Sequence, residues 1–180
     1  MDAFEISFFL VTRDVFFGLL GLAIILLFHG ICLSRILLHS EISAQGNLST
    51  GRYNAVFFHV YASFTVLAFA HICEIFLWGI MMLALGLTDK LWDAVIFAGS
   101  CYTTLGMVSN ILPSTWRSLW FIIAFSGLFS LAWSTSAMTG MMKDFREAFL
   151  KKHQVSIQRA VAKRVQKCAK APDSGRSMAK

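Results

Sequence analysis

Three long apolar stretches constrain the fold of this chain more than any other feature. They cover residues 16–38, 55–87 and 116–142. About 20 consecutive apolar residues are enough to cross the hydrocarbon core of a bilayer as a helix. Because lipid offers no hydrogen-bond partners to backbone groups, each stretch has to be helical. The sequence therefore predicts an all-α membrane protein with three transmembrane helices, the first preceded by an interfacial turn around residues 4–10.

Composition agrees with a membrane protein and argues against an enzyme. The chain is 57% hydrophobic and only 14% charged, whereas soluble domains carry about 25% charged residues. No nucleophile–base pair, metal-ligand cluster or glycine-rich phosphate loop stands out, so we expect neither catalysis nor a cofactor. The four cysteines lack CxxC spacing and are expected to be free thiols; they are Cys32, Cys73, Cys101 and Cys168.

Charge predicts the orientation of the chain in a cell membrane. Eleven of the sixteen Lys and Arg residues fall in residues 143–180, a segment with only three acidic residues. Because cytoplasmic segments carry an excess of Lys and Arg, this tail is predicted to be cytoplasmic, and three crossings then place the N-terminus outside. Nucleic-acid binding is not expected, since no recognition fold accompanies the basic residues.

The basic tail itself permits three interpretations. Apolar residues recur at helical spacing up to about residue 171, among Lys and Arg side chains. The tail could be a solvated basic extension, an amphipathic helix on anionic lipid, or a short parallel bundle that holds several copies together. The sequence leaves these alternatives open.

Residues 91–113, LWDAVIFAGSCYTTLGMVSNILP, lie between the second and third apolar stretches. They predict a half-helix over residues 92–102, followed by Thr103, Thr104, Leu105 and Gly106. Irregular backbone at membrane depth is tolerated where it lines a wet cavity. Rings of backbone carbonyls can replace the hydration shell of a cation there, and the C-terminus of a half-helix adds favourable negative potential. We therefore predict a re-entrant pore half-helix with a filter-like loop. One loop cannot enclose a pore, so the unit is expected to be a homotetramer.

Residues 71–142 resemble the pore module of the potassium channel family, particularly compact prokaryotic channels with a helix, a re-entrant loop and a helix. The resemblance lies in HICEIFLW, LWDAVIFA, the Thr103–Thr104–Leu105–Gly106 core, Pro113, and WST at residues 133–135. It implies three regions: an N-terminal helix with its cytoplasmic connection (1–54), a pore module (55–142) and the basic tail (143–180). It also implies passage of monovalent cations such as K⁺.

The chain departs from the family filter, T-V-G-Y-G, at its outer end. Met107 replaces the Tyr and Val108 replaces the second Gly. A left-handed backbone costs an L-residue about 1–2 kcal/mol, so Val108 is expected to adopt another conformation. The predicted ion pathway therefore keeps Thr104, Leu105 and Gly106 and has an altered outer part at Met107 and Val108. We predict weakened or absent potassium selectivity; the alternative is a non-conducting accessory membrane subunit of a channel or transporter.

Two ionisable residues in the second span are predicted to support the loop. His71 and Glu74 are three residues apart, so they share a helix face. They could hydrogen-bond with each other and brace the loop through Tyr102 or Ser100, with Thr103 completing the support. A pH-sensing role is the alternative, because His titrates in the physiological range.

One face of the third span permits two interpretations. Gly127, Ser130, Ser134 and Met138 share one face of the third span, together with Met141. In a channel this face would line the inner pore, with Gly127 as a hinge; otherwise its small residues serve close helix packing.

Histidines in the spans raise the possibility of a haem protein with two imidazole ligands. His29 and His59 are the pair that could meet, while His71 is a third candidate. No CxxCH motif accompanies them, and the channel interpretation is preferred.

Overall fold

The structure is a computed structural model that describes residues 3–106, 112, 116 and 118–170. Every regular element of these residues is a helix: α1 (Ala3–Ser49), α2 (Tyr53–Ala84), α3 (Leu91–Tyr102) and α4 (Ser118–Lys170). Three of them are long and apolar enough to cross a membrane, over Thr12–Ser49, Tyr53–Ala84 and Ser118–Gln166. The all-helical class and the three candidate transmembrane helices are thus as the sequence predicts.

The helices differ from the predicted stretches mainly at their ends. α1 is one continuous helix from Ala3, so the interfacial turn predicted around residues 4–10 is wrong. α2 stops at Ala84, three residues early, and the chain turns at Gly86 with φ 67°. α3 begins one residue before the predicted half-helix and ends at the predicted Tyr102.

The short helix α3 runs back along α2 and also contacts α4. Near the end of α2, Gly79 lies against Val95, and a Cβ at residue 79 would come within 2.6 Å of the Val95 side chain. At the far end of α3, Tyr102 reaches Glu74. Glu74 precedes the end of α2 by ten residues, which corresponds to about 15 Å along the helix axis. The last turn of α3 is therefore deep in the helix bundle.

Two apolar clusters hold the bundle together. The first surrounds α3 and includes the fully buried Trp78, Met82 and Ile123. The second lies at the opposite end of α2, where Val56 and Val60 pack with Ala148. Trp78 also donates a hydrogen bond from Nε1 to the Ser126 hydroxyl at 3.0 Å, joining α2 to α4.

The predicted third span and the first part of the basic tail form one helix. Helix α4 continues without interruption through Lys170. Phe145 packs on Phe57 with ring centroids 4.7 Å apart, and Lys152 donates to Asn54 Oδ1 at 2.7 Å. From residue 154 to 166 every residue is exposed. The first part of the tail thus belongs to the bundle, and the solvated part starts near residue 154.

Truncation distinguishes these two parts. A chain ending at Met142 loses Phe145 and Ala148 from the second cluster, and we expect this to cost about 3–5 kcal/mol of stability. A chain ending at His153 keeps both residues and should unfold at the temperature of the full chain. Thermal unfolding in detergent, followed by circular dichroism, measures the difference. Equal unfolding temperatures for the two truncated chains would contradict this division of the tail at residue 154.

Candidate functional site

Five polar side chains from all four helices form a closed ring of hydrogen bonds, here called the buried polar ring. His29 Nδ1 lies 2.6 Å from Glu74 Oε1, and the Tyr102 hydroxyl donates to Glu74 Oε2 at 2.6 Å. The Tyr102 oxygen lies 2.7 Å from His71 Nδ1. The ring closes through Ser134, whose hydroxyl lies 3.0 Å from His71 Nε2 and 3.2 Å from His29 Nε2.

The buried polar ring lies away from solvent. His29 and Glu74 are 0% exposed, and Tyr102 and Ser134 are 2% and 3% exposed. The side chain of His71 keeps 14% of its surface. Buried polar groups are costly unless they are hydrogen-bonded, and ionisable groups are expensive at membrane depth. The ring removes this cost by pairing each group with two others.

A proton count describes the charge that the closed ring can carry. With all protons removed, each of the five side chains would carry one negative charge. One proton in each of the five hydrogen bonds cancels these charges, whichever histidine tautomers are present. A ring filled in this way is neutral, which suits an apolar environment.

The ring arises from simple features of the local sequence. His71 and Glu74 are separated by three residues and so lie on one face of α2, with a nitrogen–oxygen distance of 3.9 Å. Tyr102 is the last residue of α3, which places its hydroxyl at the deep end of that helix. The contact predicted between Tyr102 and the His71–Glu74 face is present. The alternative contact through Ser100 is not, since the Ser100 hydroxyl donates to the Ile96 carbonyl of its own helix.

His29 and Ser134 are the ring members whose connection the sequence did not reveal. His29 does not pair with His59, whose ring lies beside His39 with 6.0 Å between centroids. Both nitrogens of His29 are hydrogen-bonded within the ring, so its partners are Glu74 and Ser134 and not His59. The sequence did contain a signal for this contact. Ionisable or hydroxyl residues within three different apolar stretches need hydrogen-bond partners, and they can supply these to one another.

The ring atoms have chemistry that could also attract a metal ion. Nitrogen and oxygen atoms of His29, His71 and Glu74 lie within 4.8 Å of one another. Every one of them already takes part in a hydrogen bond of the ring, so an ion would have to displace protons from satisfied partners. The geometry therefore favours a hydrogen-bonded structure over a metal centre.

The predicted ion-pathway residues follow α3 directly. The amides of Thr104 and Leu105 turn back to the carbonyls of Cys101 and Ser100, at 2.9 and 2.8 Å. This is the Schellman arrangement, which places Thr104 in the left-handed position that Gly usually takes. Thr104 has φ 60° and Gly106 has φ 66°. A left-handed backbone at a non-glycine residue is uncommon, and such strain clusters at functional sites.

The loop is exposed on the surface of the single chain. Thr103, Thr104, Leu105 and Gly106 are all exposed, and Leu105 keeps 70% of its surface. Among the residues described, no backbone N–H donates to the carbonyls of Thr104 to Gly106. The Thr103 hydroxyl donates to the Gly99 carbonyl at 2.7 Å. The predicted outer residues, Met107 and Val108, lie outside the described residues.

The residues of the predicted inner pore lining face the chain's own bundle. Ser130 is 0% exposed, and Ser134 belongs to the buried polar ring. Gly127 lies against the Tyr102 carbonyl, and Met138 packs with the second apolar cluster. In the single chain, the small residues of this face allow α3 to approach α4 closely, as the packing alternative describes.

Comparison with known proteins identifies no relative. No family model, curated protein or solved structure matches this chain. The proposals below therefore stand on the residues and geometry described above.

Proposed function

We propose that the chain assembles as a homotetramer in the cell membrane and forms a channel for monovalent cations with weak or absent potassium selectivity. The observation that carries the proposal is the strained, exposed loop at the deep end of α3. There, Thr104, Leu105 and Gly106 follow a helix C-terminus whose final residue is held by buried hydrogen bonds. In this proposal α3 is the re-entrant pore half-helix.

Electrostatics supports a cation at this position. The C-terminus of a helix carries the equivalent of about half a negative charge, and backbone carbonyls supply the oxygen ligands that replace a hydration shell. Among the described residues, no backbone amide donates to the carbonyls of the exposed loop. Four copies of the loop around one axis would provide rings of such oxygens. This arrangement resembles the potassium channel family.

The outer part of the loop supports the weak selectivity. Met107 lacks the tyrosine hydroxyl of the family pattern, and Val108 cannot replace a left-handed glycine without strain. We therefore propose that the inner ion sites at Thr104 to Gly106 are retained while the outer sites are altered. The N-terminus would then lie outside and the basic tail in the cytoplasm.

The direct test is conduction by the purified protein in planar bilayers, with potassium on one side and sodium on the other. We expect cation currents with a reversal potential near zero, since both ions should pass. A reversal close to the potassium equilibrium potential would overturn the weak selectivity. Absence of current at any potential would overturn the channel and favour the non-conducting subunit.

Two glycines provide a matched mutational test of the pathway. Gly106 and Gly86 have nearly the same φ, 66° and 67°, and a Cβ at either would meet no atom of the described residues within 4 Å, apart from those of its chain neighbours. Gly106→Ala and Gly86→Ala therefore introduce the same strain of about 1–2 kcal/mol. Only Gly106→Ala changes the proposed pathway, where that strain corresponds to about a tenfold loss of current. An equal loss in Gly86→Ala would contradict the assignment of the pathway.

A further inference from the structure

The channel proposal assigns no role to α1. A pore module needs only α2, α3 and α4, and the exposed loop follows α3. Yet α1 contributes His29, a side chain with 0% exposure whose Nδ1 lies 2.6 Å from Glu74 Oε1. A fully buried ionisable residue at membrane depth is costly and calls for a specific role.

The contacts of Glu74 connect His29 to the loop. One carboxyl oxygen of Glu74 meets His29, while the other accepts the hydrogen bond from the Tyr102 hydroxyl at 2.6 Å. The two oxygens belong to one planar group, so fixing one of them also fixes the direction of the other. Tyr102 is the last residue of α3 and is followed directly by Thr103 and Thr104. His29 is thus two hydrogen bonds away from the start of the loop.

We infer that His29 is a positioning residue: it orients Glu74, which holds Tyr102 and thereby sets the backbone from which the loop begins. Helix α1 then acts as a support for the ion pathway without contacting it. The inference deepens the proposed function. The expected effect of His29 on ion selectivity rests on that proposal, whereas its effect on loop mobility holds whether or not the chain conducts.

The closed ring explains why the loss of His29 matters. Without His29, Glu74 keeps only Tyr102 as a short partner, and Ser134 keeps only His71. The carboxyl group of Glu74 can then rotate. The Tyr102 hydroxyl either moves with it or loses this hydrogen bond. Removing a remote partner should therefore loosen the loop while the apolar clusters of the bundle remain packed.

Spin labelling tests the inference in the full-length protein in liposomes. In a background with the four native cysteines replaced by serine or alanine, Leu105→Cys places a nitroxide on the exposed loop. We expect slow label motion with His29 present and about threefold faster motion in His29→Leu, within the nanosecond range that loop motions occupy. Equal label motion in a folded His29→Leu variant would overturn the inference.

Two further variants control this measurement. His39→Leu makes the same change on the same helix, at an exposed histidine whose ring meets His59 rather than the buried polar ring; it should leave the label motion unchanged. His29→Asn places an amide near the position of Nδ1 and can still bond Glu74, so it should restore most of the slow motion. Faster motion in His39→Leu, or no rescue by asparagine, would contradict a specific positioning role.

A third variant covers the case in which His29→Leu does not fold. His29→Gln places an amide near the position of Nε2, so it keeps Ser134 but loses Glu74 and should speed the label motion. Tyr102→Phe disconnects the loop from Glu74, so His29→Gln should have no further effect on label motion in that background. An undiminished effect there would overturn the inference. In bilayers, His29→Leu should change the sodium-to-potassium permeability ratio while His39→Leu does not. If no variant conducts, the channel proposal fails, and the label data decide the inference by themselves.

Discussion

Replacing Glu74 with leucine is expected to destabilise the folded protein severely, whereas replacing it with glutamine should be tolerated. Leucine leaves His29 Nδ1 buried without its partner and removes one of the two partners of the Tyr102 hydroxyl, which keeps His71 Nδ1. The unsatisfied nitrogen costs about 1–3 kcal/mol, and the lost Tyr102 hydrogen bond costs about 1 kcal/mol more. Since folded proteins are stable by only about 5–15 kcal/mol, a loss of this size should greatly reduce the yield of folded protein.

The tolerance of glutamine follows from the proton count of the buried polar ring. A glutamine carbonyl can accept from Tyr102, and its amide can donate to His29, so all five bonds persist and the ring stays neutral. One amide hydrogen is left over, with a cost of about 1 kcal/mol. The prediction thus separates the need for hydrogen-bonding atoms from the need for a carboxylate charge.

Thermal unfolding in detergent and size-exclusion chromatography measure the effect of both changes. Glu41→Leu is the matched control, because Glu41 is an exposed glutamate on α1 and surface changes usually stay within about 0.5 kcal/mol. Glutamine behaving as badly as leucine at residue 74 would contradict the neutral ring and indicate that the charge itself is required.

Gly127→Ala is expected to produce the second large effect, by forcing α3 away from α4. A Cβ at residue 127 would overlap the carbonyl oxygen of Tyr102 and lie 2.9 Å from its carbonyl carbon. Both atoms are backbone and cannot rotate aside, so the helices have to separate. Overpacking of this kind costs about 1–3 kcal/mol and occasionally more. The shift would also move Tyr102, and with it the start of the loop.

Gly140→Ala is the control for this change on the same helix. No atom lies within 4 Å of a Cβ at residue 140, so alanine should stabilise α4 there by about 0.8–1.0 kcal/mol through its helix propensity. The same substitution is therefore expected to have opposite signs at two positions of α4. The unfolding temperatures of the two variants measure this, and a shift of equal sign and size would show that α3 does not approach Gly127 closely.

The candidate membrane helices and the half-helix could be predicted because their signals are local. An apolar stretch of sufficient length has to be helical in lipid, whatever it contacts. The helix ends were harder to predict: α1 extends to Ala3, and α4 extends far beyond Met142. Polar helical turns outside an apolar stretch carry little signal in hydropathy. Whether they remain in the bundle depends on partners such as Phe57, which packs against Phe145.

The candidate site could be predicted only in part, for a similar reason. His71 and Glu74 were placed together by helix periodicity, and Tyr102 by its position at the end of the half-helix. His29 could not be assigned to them, because that requires the rotation and depth of α1 relative to α2. The sequence also did not show which face of α4 packs against the other helices. A face containing Ser130 was predicted to line a pore, and in the single chain Ser130 is buried.

The sequence by itself determined the class of this protein: three apolar stretches, a short half-helix followed by Thr-Thr-Leu-Gly, and ionisable residues that have to be paired. Composition and periodicity are properties of single segments, so they can be read without knowing how helices pack. Only the tertiary structure decided which polar groups meet. A closed, neutral ring requires five side chains from four helices at one depth, and that coincidence depends on the rotation and offset of every helix in the bundle.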